Sequence, residues 1–464
     1  MNDTLKISVI GSGYVGLVSG VCLAAKGHQV NLLDLREDIV TLINDGIPTI
    51  HENGLPTLLA KVVHSKNLIA NIAKPDNLND SEIVMICVGT PSINGAIDLS
   101  QIRAASEMVG KWLRGISHFA TIIVKSTVPP GTTDTYVANI IEEISGKKLS
   151  NGDFGLGMNP EFLREGEAVG DFNDPDRIVF GHEDEKTLCL LEKVYSHWKC
   201  NKLHVNTRTA EMIKYANNCL LALQISAANE LANVSSSIGG IDFMDVLKGI
   251  CADKRWNPIL PQGQRANPSI LSYLIPGCGF GGSCFPKDVA AMRTLSQNVG
   301  IRPRILQAIL DVNSEQPMTA VDPLIQELGG NLSGKKILLL GLAFKPGTDD
   351  VRESASLKIA QYLLELDAQV LAHDPIATPN AVLALGDQRL ITLQNWKDRL
   401  LDCDAVIVAT NWPEYTDLKL HASALQGKPI LDCRRLLNAE DFSLSTFLTI
   451  GKTKRNTKTS FFDL

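Results

Sequence analysis

Short apolar runs, each ending in a glycine or a polar turn, dominate the first two hundred residues. The run at residues 5–10 ends at Gly11, and a helical pattern of alanine and leucine follows it. A second run, at residues 29–33, ends at Asp34. Two such runs separated by a helix are typical of a βαβ unit and therefore of a parallel sheet. Further apolar runs at 83–88 and 121–125 predict more strands of the same sheet.

A similar layout returns in the second half of the chain. Residues 207–237 are helix formers without proline, which predicts a long helix. Proline and glycine crowd residues 257–286, which predicts an extended active-site loop rather than a packed element. Beyond them, strands are predicted at 335–341, 369–372 and 405–410, with a helix at 355–366. The two halves share their layout but no residue-level repeat.

These elements predict an α/β fold with two Rossmann-like doubly wound domains joined by a long central helix. At 464 residues, two or three domains are expected. The predicted boundaries are 1–200 for the first domain, 201–320 for the central helical part with the glycine-rich loop, and 321–464 for the last domain.

Charge and composition narrow the function classes. A net charge of −7 argues against a nucleic-acid partner, which usually meets a basic face. No apolar run is long enough to span a bilayer, so no membrane partner is expected. Ten cysteines without a C-x-x-C pair do not form a disulfide framework or a metal-ligand set, which favours a reducing, cytoplasmic compartment and no metal.

The motif Gly11-x-Gly13-x-x-Gly16 lies directly between a strand and a helix, as a dinucleotide site requires. Its glycines allow backbone N–H groups to approach a pyrophosphate at the helix N-terminus. Asp34 closes the second strand, where a carboxylate accepts hydrogen bonds from the adenosine ribose and favours NAD over NADP. Arg36 leaves a second interpretation open, because an arginine there can also accommodate a 2′-phosphate; an exposed charge is at least as common.

Two later strand ends face the same crevice of an open sheet. Gly89, Thr90 and Pro91 follow one strand, and Ser126 and Thr127 follow the next. Their small and hydroxylated side chains suit a surface that lies against the cofactor. Taken alone, each segment is more often simple turn chemistry.

The glycine-rich segment 277–288 holds the strongest chemical signal. Its glycines let the backbone wrap closely around a ligand, and Cys284 lies beside potential positive charge, which activates a thiol. If Pro286 starts a helix, Asp288 lies near Cys284. The other nine cysteines are expected to be small buried hydrophobes. Pairing of Cys278 with Cys284 in a disulfide or a metal site is not expected.

Two segments carry further polar candidates. Glu161 and Glu165 are four residues apart, and Lys214 and Asn218 share one helical face. The pattern alone favours surface ion-pair residues over catalytic ones by two to one.

Long motifs in a fixed order resemble the UDP-glucose/GDP-mannose dehydrogenase family, and most closely its branch that oxidises UDP-glucose. The resemblance covers nearly the whole chain and rests on residues 11–16, 126–131, 159–166, 214–218, 281–288 and 344–354.

The resemblance implies oxidation of the sugar C6 alcohol to an acid, with two NAD molecules for each sugar. Asp288, acting through a water with Lys214, takes the hydroxyl proton, and Cys284 captures the aldehyde as a thiohemiacetal that is oxidised to a thioester. Glu161 then activates water. Lys214, Asn218 and Thr127 stabilise oxyanions or hold that water.

The same resemblance assigns the binding residues and makes the first domain NAD-binding and the last one nucleotide-sugar-binding. The cofactor residues are Gly11, Gly13, Tyr14, Val15, Gly16, Asp34, Gly89, Thr90, Pro91, Ser126, Thr127, Glu165 and Arg352. The substrate residues are Glu161, Phe162, Leu163, Lys214, Asn218, Tyr273, Gly281, Lys345 and Arg434. A homodimer or higher homo-oligomer that uses the long helix is expected.

Two departures from the family pattern bear on these contacts. Ile39 stands where the family often has a basic residue, which leaves the adenosine-ribose contacts open. Pro268 stands where UDP-glucose enzymes often carry an arginine from the other subunit, with Arg265 nearby. Residues 272–277 are reminiscent of the GDP-mannose and UDP-N-acetylhexosamine branches, whereas Ser283 differs from the histidine usual in the N-acetylhexosamine type.

Three alternatives to a UDP-glucose enzyme therefore stay open. The first keeps the reaction and changes the sugar to GDP-mannose or a UDP-N-acetylhexosamine. The second is a single-step dehydrogenase of the β-hydroxyacid or 6-phosphogluconate type, which needs no cysteine. The third is a sugar-nucleotide sensor without turnover.

Overall fold

A computed structural model describes residues 4–78, 80–387 and 389–453. The chain divides into two compact units, Met1–Asn217 and Asn218–Leu464. The three-domain division with boundaries near 200 and 320 stays a prediction.

Thirteen α-helices lie in the described residues: α1 (Tyr14–Ala25), α2 (Glu37–Asn44), α3 (Leu55–His64), α4 (Ser100–Gly115), α5 (Ala138–Ser145), α6 (Ala168–Asn173), α7 (Glu185–Val194), α8 (Thr207–Ile238), α9 (Phe243–Ala252), α10 (Phe285–Asn298), α11 (Arg304–Glu327), α12 (Ala355–Glu365) and α13 (Thr378–Leu385). Short 3₁₀ or π turns lie at Pro75–Leu78, Thr132–Val137, Leu149–Asn151, Ser269–Leu274, Trp396–Arg399, Pro413–Leu425 and Ala439–Phe442.

The strands of the described residues are β1 (Lys6–Ile10), β2 (Gln29–Asp34), β3 (Leu68–Ile72), β4 (Ile83–Ile86), β5 (Ser92–Ile93), β6 (Ala96–Ile97), β7 (Thr121–Val124), β8 (Gly155–Met158), β9 (Arg177–His182), β10 (Asn201–Val205), β11 (Lys336–Leu340), β12 (Gln369–His373), β13 (Leu390–Thr392), β14 (Ala405–Val408), β15 (Ile430–Asp432) and β16 (Phe447–Thr449).

The first unit is built on an eight-stranded sheet in the order β10-β9-β8-β7-β4-β1-β2-β3. Neighbouring strands run parallel except β8 and β9, which pair antiparallel. Because β1, β4 and β7 are buried along almost their whole length, they are apolar without alternation, as in a sheet covered on both faces. The strand order reverses between β1 and β4, which opens a crevice at their carboxyl ends.

The second unit contains a parallel six-stranded sheet in the order β13-β12-β11-β14-β15-β16. Its strand order reverses between β11 and β14. The fold is therefore mixed α/β with two doubly wound sheets, and the predicted fold class is confirmed. Helix α8 is continuous over 32 residues and passes from the first unit into the second.

The predicted loop at residues 257–286 differs from the expectation of an unpacked segment. It contains a 3₁₀ turn at Ser269–Leu274. Leu274, Cys278 and Phe280 are buried, and the first two belong to the core of the second unit. The expectation was wrong because glycine lets the backbone run close against the core. Apolar side chains between the glycines are then buried in that core.

Candidate active site

The first glycine turn has the backbone geometry that a dinucleotide phosphate needs. Gly11 has a φ of +96°, and a side chain there would lie 2.8 Å from the carbonyl oxygen of Cys87. A side chain at Gly16 would lie 1.8 Å from the Gly11 carbonyl oxygen. At Gly13 a Cβ would meet open space, so the turn is closed on its inner side and accessible on its outer side. Tyr14 and Val15 begin α1 directly after this turn.

Asp34 supports the turn from the end of β2. Its carboxylate accepts hydrogen bonds from the hydroxyl and the N–H of Ser12, the latter at 3.1 Å, and from the N–H of Arg36 at 3.0 Å. A carboxylate has about four acceptor positions, so room is left for a ribose hydroxyl. The Arg36 side chain is exposed and lies 3.8 Å from Asp38. Ile39 is buried in the core, which explains the apolar residue at this position.

The carboxyl ends of β4 and β7 are neighbours in the sheet and carry the predicted small and hydroxylated residues. Ser126 is buried and donates to the Val88 carbonyl oxygen at 2.6 Å. Gly89 donates its N–H to Gln101 at 3.0 Å. Thr127 is half-buried in the turn after Ser126, as is Thr90, and Pro91 is exposed.

Glu52 is a supporting residue that the sequence pattern did not indicate. It is buried and accepts hydrogen bonds from the Tyr14 hydroxyl, from the N–H of Gly166 at 2.7 Å and from the N–H of Ala168 at 2.9 Å. Burial and the Glu52 carboxylate raise the pKa of Tyr14. Glu52 therefore holds the segment that carries the half-buried Glu165 against the start of α1.

Glu161 and Lys214 form a buried ion pair in the first unit. Their side chains are 7% and 4% exposed, and the Nζ–Oε1 distance is 2.8 Å. The second oxygen of Glu161 accepts the N–H of Leu163 at 2.7 Å. Lys214 also lies 5.5 Å from the centroid of the Phe162 ring. The interpretation from spacing alone as surface ion-pair residues is therefore wrong for this pair, because the tertiary fold places both inside the unit.

The charge of Glu161 depends on its neighbours. Burial opposes ionisation, but the charge and hydrogen bond of Lys214, the N–H of Leu163 and the charge of Lys125 together hold the pKa of Glu161 below its usual value. Glu161 is therefore anionic at neutral pH. A buried anion with hydrogen bonds to both oxygens is well placed to polarise a water molecule.

Lys125 is a second buried cation in this part of the first unit. It directly follows β7 and is 3% exposed. Its ammonium donates to Asn159 Oδ1 at 2.9 Å and lies 3.4 Å from the Tyr195 hydroxyl. The sequence carries a signal for this residue, since a lysine at the end of an apolar strand is rarely placed there for solubility.

In the second unit, Asp288 is buried in the first turn of α10 and has both oxygens occupied. Asn218 donates to Oδ2 at 2.7 Å, and Lys287 donates to Oδ1 at 2.6 Å. Cys284 is half-buried and occupies the N-cap position of α10. Helix α10 begins at Phe285, one residue before the Pro286 start considered in the sequence analysis, so Pro286 lies in its first turn. A helix N-terminus favours a thiolate over a thiol.

The glycine-rich loop before Cys284 packs tightly within the second unit. A side chain at Gly281 would lie 2.3 Å from the Glu353 carbonyl oxygen. Gly282 has a φ of +82° and donates its N–H to the Arg352 carbonyl oxygen at 2.8 Å. A Cβ at Gly282 would lie 2.8 Å from the Phe344 ring. Only glycine fits at these two positions, so the loop is fixed rather than flexible.

Other predicted substrate residues surround the same loop in the second unit. Arg434 donates to the Ala409 carbonyl oxygen at 2.7 Å and to that of Gly279 at 3.3 Å. Lys345 is half-buried, with its ammonium 5.7 Å from the centroid of the Phe344 ring.

The remaining predicted binding residues have partners of their own. Tyr273 is half-buried, 6.4 Å from the ring of Phe285. The guanidinium of Arg352 pairs with Asp350 at 2.7 Å.

The departure at Pro268 has a local explanation. Pro268 caps the 3₁₀ turn at Ser269–Leu274. Arg265 donates to the carbonyl oxygens of Asn257 at 2.7 Å and Ala252 at 2.8 Å. Its guanidinium therefore braces the loop of its own chain.

None of the ten cysteines is in a disulfide. Within residues 4–78, 80–387 and 389–453, no three His, Cys, Asp or Glu side chains converge in a way that could hold a metal ion. Over the same residues, no helix is long and apolar enough to cross a membrane.

Glu211, one turn before Lys214 on α8, gives a pH-dependent prediction. It is fully buried and accepts the N–H groups of Gly131 at 2.6 Å and Thr133 at 2.8 Å, and burial raises its pKa to about 7. The folded state then holds a proton that the unfolded state has already lost. The contribution of Glu211 to stability is therefore present below the unfolded pKa near 4.5 and falls as the pH rises to 7.

We expect the fall between pH 5 and pH 8 to be on the order of 3 kcal/mol in the free energy of unfolding. Glu211→Gln has no charge to bury, so its unfolding free energy should fall less over this range. Urea unfolding at pH 5, 6, 7 and 8 measures the difference. The exposed control Glu143→Gln should follow the wild type; equal slopes for wild type and Glu211→Gln would contradict the prediction.

Three successive segments of the chain match three domains of one protein family. Residues 5–199 match the NAD-binding domain of the UDP-glucose/GDP-mannose dehydrogenase family, residues 208–315 its central domain, and residues 338–439 its UDP-binding domain.

Individual relatives extend the match over almost the full length. The UDP-glucose 6-dehydrogenase AglM of Haloferax volcanii is 38% identical over 443 residues, which cover 94% of this chain and 98% of that protein. A UDP-glucose dehydrogenase structure from Pyrobaculum islandicum has a TM-score of 0.87 at 37% identity and covers 97% of this chain and 98% of its own. A UDP-D-ManNAc dehydrogenase structure from Pyrococcus horikoshii has a TM-score of 0.81 at 26% identity, with 97% and 99% covered.

The chain belongs to the UDP-glucose/GDP-mannose dehydrogenase family. Within it, the chain is an NAD-dependent nucleotide-sugar dehydrogenase whose curated relatives carry the name UDP-glucose 6-dehydrogenase.

Proposed function

We propose that this enzyme oxidises UDP-glucose to UDP-glucuronate with two NAD molecules for each sugar. The observation that carries the proposal is the arrangement on α8. Lys214 and Asn218 are one helical turn apart, and each donates to a different buried carboxylate, Glu161 and Asp288 respectively. Two separately held carboxylates suit a reaction that needs one base for the alcohol and another for a water molecule.

The glycine turn at Gly11, Gly13 and Gly16 fits the pyrophosphate of NAD, and Asp34 fits its adenosine ribose. When bound, NAD accepts a hydride from the sugar C6 carbon. Ser126, Thr127 and the other strand-end residues of the first unit line the crevice where a nicotinamide would lie. Glu165 and Arg352 are further proposed cofactor residues.

The substrate is proposed to lie against the glycine-rich loop of the second unit. Lys345 and Arg434 supply positive charge for the nucleotide diphosphate, and Tyr273 supplies an aromatic surface. Gly281, whose Cβ direction is closed by the Glu353 carbonyl oxygen, is proposed to present its backbone to the substrate. Phe162 and Leu163 are further proposed substrate residues.

In the first oxidation, Asp288 is proposed to take the C6 hydroxyl proton through a water molecule held with Lys214. Asn218 and Lys287 fix the Asp288 carboxylate by its two oxygens. A base held in this way loses little entropy when the alcohol binds. The product of this step is an aldehyde.

Cys284 is then proposed to attack the aldehyde carbon. The sulfur–carbon bond forms, the carbonyl oxygen takes a proton, and a thiohemiacetal results. Loss of a second hydride and of the hydroxyl proton leaves a thioester. Covalent capture keeps the reactive aldehyde from escaping between the two oxidations.

Hydrolysis completes the reaction. Glu161 is proposed to take a proton from water as the water oxygen attacks the thioester carbon. Lys214, Asn218 and Thr127 stabilise the oxyanion, and the bond to Cys284 breaks to release the acid. The whole sequence consumes one water and reduces two NAD.

A substrate panel tests this assignment. NADH formation is followed with UDP-glucose, GDP-mannose and UDP-N-acetylmannosamine at equal concentrations. We expect the highest kcat/KM with UDP-glucose, by about a hundredfold or more. No turnover with UDP-glucose would sink the proposal, and turnover with UDP-N-acetylmannosamine instead would favour the activity that the Pyrococcus horikoshii relative is named for. Binding without turnover of any sugar would indicate a sensor.

We also propose that the enzyme is a homodimer or higher homo-oligomer and that it works in the reducing cytoplasm. Large apolar side chains on α8 remain exposed, among them Leu220 at 60%, Leu231 at 54% and Val234 at 50%. An exposed apolar helix face of this kind usually marks an interface. Ten cysteines without a disulfide support the proposed compartment.

A further inference from the structure

We infer that Lys125 is a positioning residue for the hydrolytic half of the reaction, which holds Glu161 in place and keeps it anionic. The inference rests on the proposed function, because it concerns the step in which Glu161 activates water. Lys125 directly precedes Ser126 and Thr127, and it contacts the strand end that leads into Glu161.

The contacts of Lys125 join two strand ends. Its ammonium follows β7 and donates to the side chain of Asn159, at 2.9 Å, and toward the Asn159 carbonyl oxygen, at 3.4 Å. Asn159 directly follows β8 and is anchored by its own donation to the Val179 carbonyl oxygen at 2.9 Å. Because only one residue separates Asn159 from Glu161, fixing Asn159 fixes the start of the turn that carries the carboxylate.

Aromatic rings and neutral acceptors surround the ammonium. Tyr195 donates its hydroxyl to Asn159 Oδ1 at 2.6 Å, and the ammonium lies 5.7 Å from the Phe172 ring centroid and 5.9 Å from that of Tyr195. Nothing in this set neutralises the charge of Lys125. A buried cation that is solvated by an amide and by rings keeps its field available to a carboxylate further away.

Four groups from different elements interact with Lys125, either through their charge or through a hydrogen bond. They are Cys87 after β4, Glu161 after β8, Lys214 on α8 and Tyr195 after α7. Burial lowers the pKa of Lys125 to about 8, with Cys87 and Glu161 opposing and Lys214 adding to the shift. Lys125 is thus mostly charged at neutral pH. Its charge supports the anionic form of Glu161 beyond what Lys214 alone provides.

The test compares Lys125→Met, which keeps the length of the side chain but removes its charge, with two matched variants. Tyr195→Phe removes a hydroxyl from the same cluster but keeps the Lys125 charge. Lys26→Met removes a different half-buried cation, whose ammonium lies 5.4 Å from the centroid of the Trp198 ring. Lys26 is far from Glu161 in the sequence. Lys125→Arg keeps the charge and serves as the conservative rescue.

The readouts are the pH profile of single-turnover hydrolysis and the intact mass of the enzyme during turnover of UDP-glucose. In Lys125→Met we expect the acidic limb of the pH–rate profile for hydrolysis to move to higher pH by about one unit. kcat should fall about tenfold or more while KM for UDP-glucose changes less than about twofold, and a sugar adduct on Cys284 should accumulate. Tyr195→Phe, Lys26→Met and Lys125→Arg should keep the wild-type acidic limb.

An unchanged acidic limb in Lys125→Met, or an equal shift in Tyr195→Phe, would overturn the inference. Thermal unfolding of each variant is measured in parallel, and Lys125→Gln is the second neutral variant. If neither neutral variant folds, the role of Lys125 is structural and the inference is rejected. If the wild type itself gives one NADH for each sugar, the proposed function fails whatever Lys125 does. If the wild type gives two NADH for each sugar and the acidic limb of Lys125→Met is unshifted, the inference is rejected and the proposed function stands.

Discussion

Cys284→Ser should abolish formation of the sugar acid, with a loss in kcat of about 10³-fold or more. The serine hydroxyl occupies the same N-cap position of α10, so the fold and the binding of UDP-glucose should survive. A hydroxyl is a far weaker nucleophile than a thiolate at neutral pH, and an ester formed through it would hydrolyse more slowly than a thioester. The variant should therefore stop after the first oxidation at most, or hold the sugar as a stable ester.

The measurement is the yield of UDP-glucuronate, together with the intact mass of the variant after incubation with UDP-glucose and NAD. Cys251→Ser is the matched control, because Cys251 is a half-buried thiol of the same unit that no step uses. The control should keep wild-type yield within about twofold. A normal yield of acid from Cys284→Ser would defeat the covalent mechanism.

Lys214→Met is expected to have the second largest effect, on both activity and stability. It leaves the carboxylate of Glu161 buried without its ion-pair partner at 2.8 Å. Loss of one member of a buried pair typically costs about 3–5 kcal/mol, because the other charge stays desolvated. The same change removes a proposed oxyanion partner, so kcat should fall by at least about 10²-fold.

The loss of stability in Lys214→Met should depend on pH. In the wild type the pKa of Glu161 is held below its usual value, so the pair contributes stability above the unfolded pKa and loses it as the pH falls through the folded one. Without Lys214, burial favours the protonated acid. The loss of stability in Lys214→Met should therefore be largest at pH 8 and smaller at pH 5, as measured by urea unfolding.

The double variant Lys214→Met/Glu161→Gln separates the two effects. Removing both charges should recover most of the lost stability, since the carboxylate that Lys214→Met leaves without its partner is gone. It should not recover activity, because both the carboxylate that is proposed to activate water and its ammonium partner are gone. Recovery of activity together with stability would show that neither group acts in the chemistry.

The sequence predicted the architecture because its signals were local. The apolar runs before Gly11 and after residue 335 are short, unbroken and followed by glycine, which is typical of strands in a parallel sheet covered on both faces. The stretch without proline at residues 207–237 matches α8 almost residue for residue. Asp34 was also identified from its position after a strand, and its hydrogen bonds to the glycine turn follow from that position.

The supporting residues could not be predicted, because their roles depend on distant partners. Glu52 is 114 residues from Gly166, whose N–H it accepts. Lys214 reads as a surface residue by helical spacing, and only the fold places it against Glu161, 53 residues away. Buried ion pairs leave no periodic pattern in the chain, whereas apolar faces do. Burial of Cys278 is expected from its residue type, whereas the burial of Leu274 and Phe280 was missed, because their glycine and proline neighbours suggested an open loop.

The central claim is that one active site performs two successive oxidations on one sugar with Cys284 as the covalent trap between them. The most direct measurement is the number of NADH molecules formed for each UDP-glucose consumed, with the wild-type enzyme at limiting sugar. The covalent route predicts two NADH and one UDP-glucuronate for each UDP-glucose. One NADH for each sugar, with the aldehyde released as the product, would contradict it.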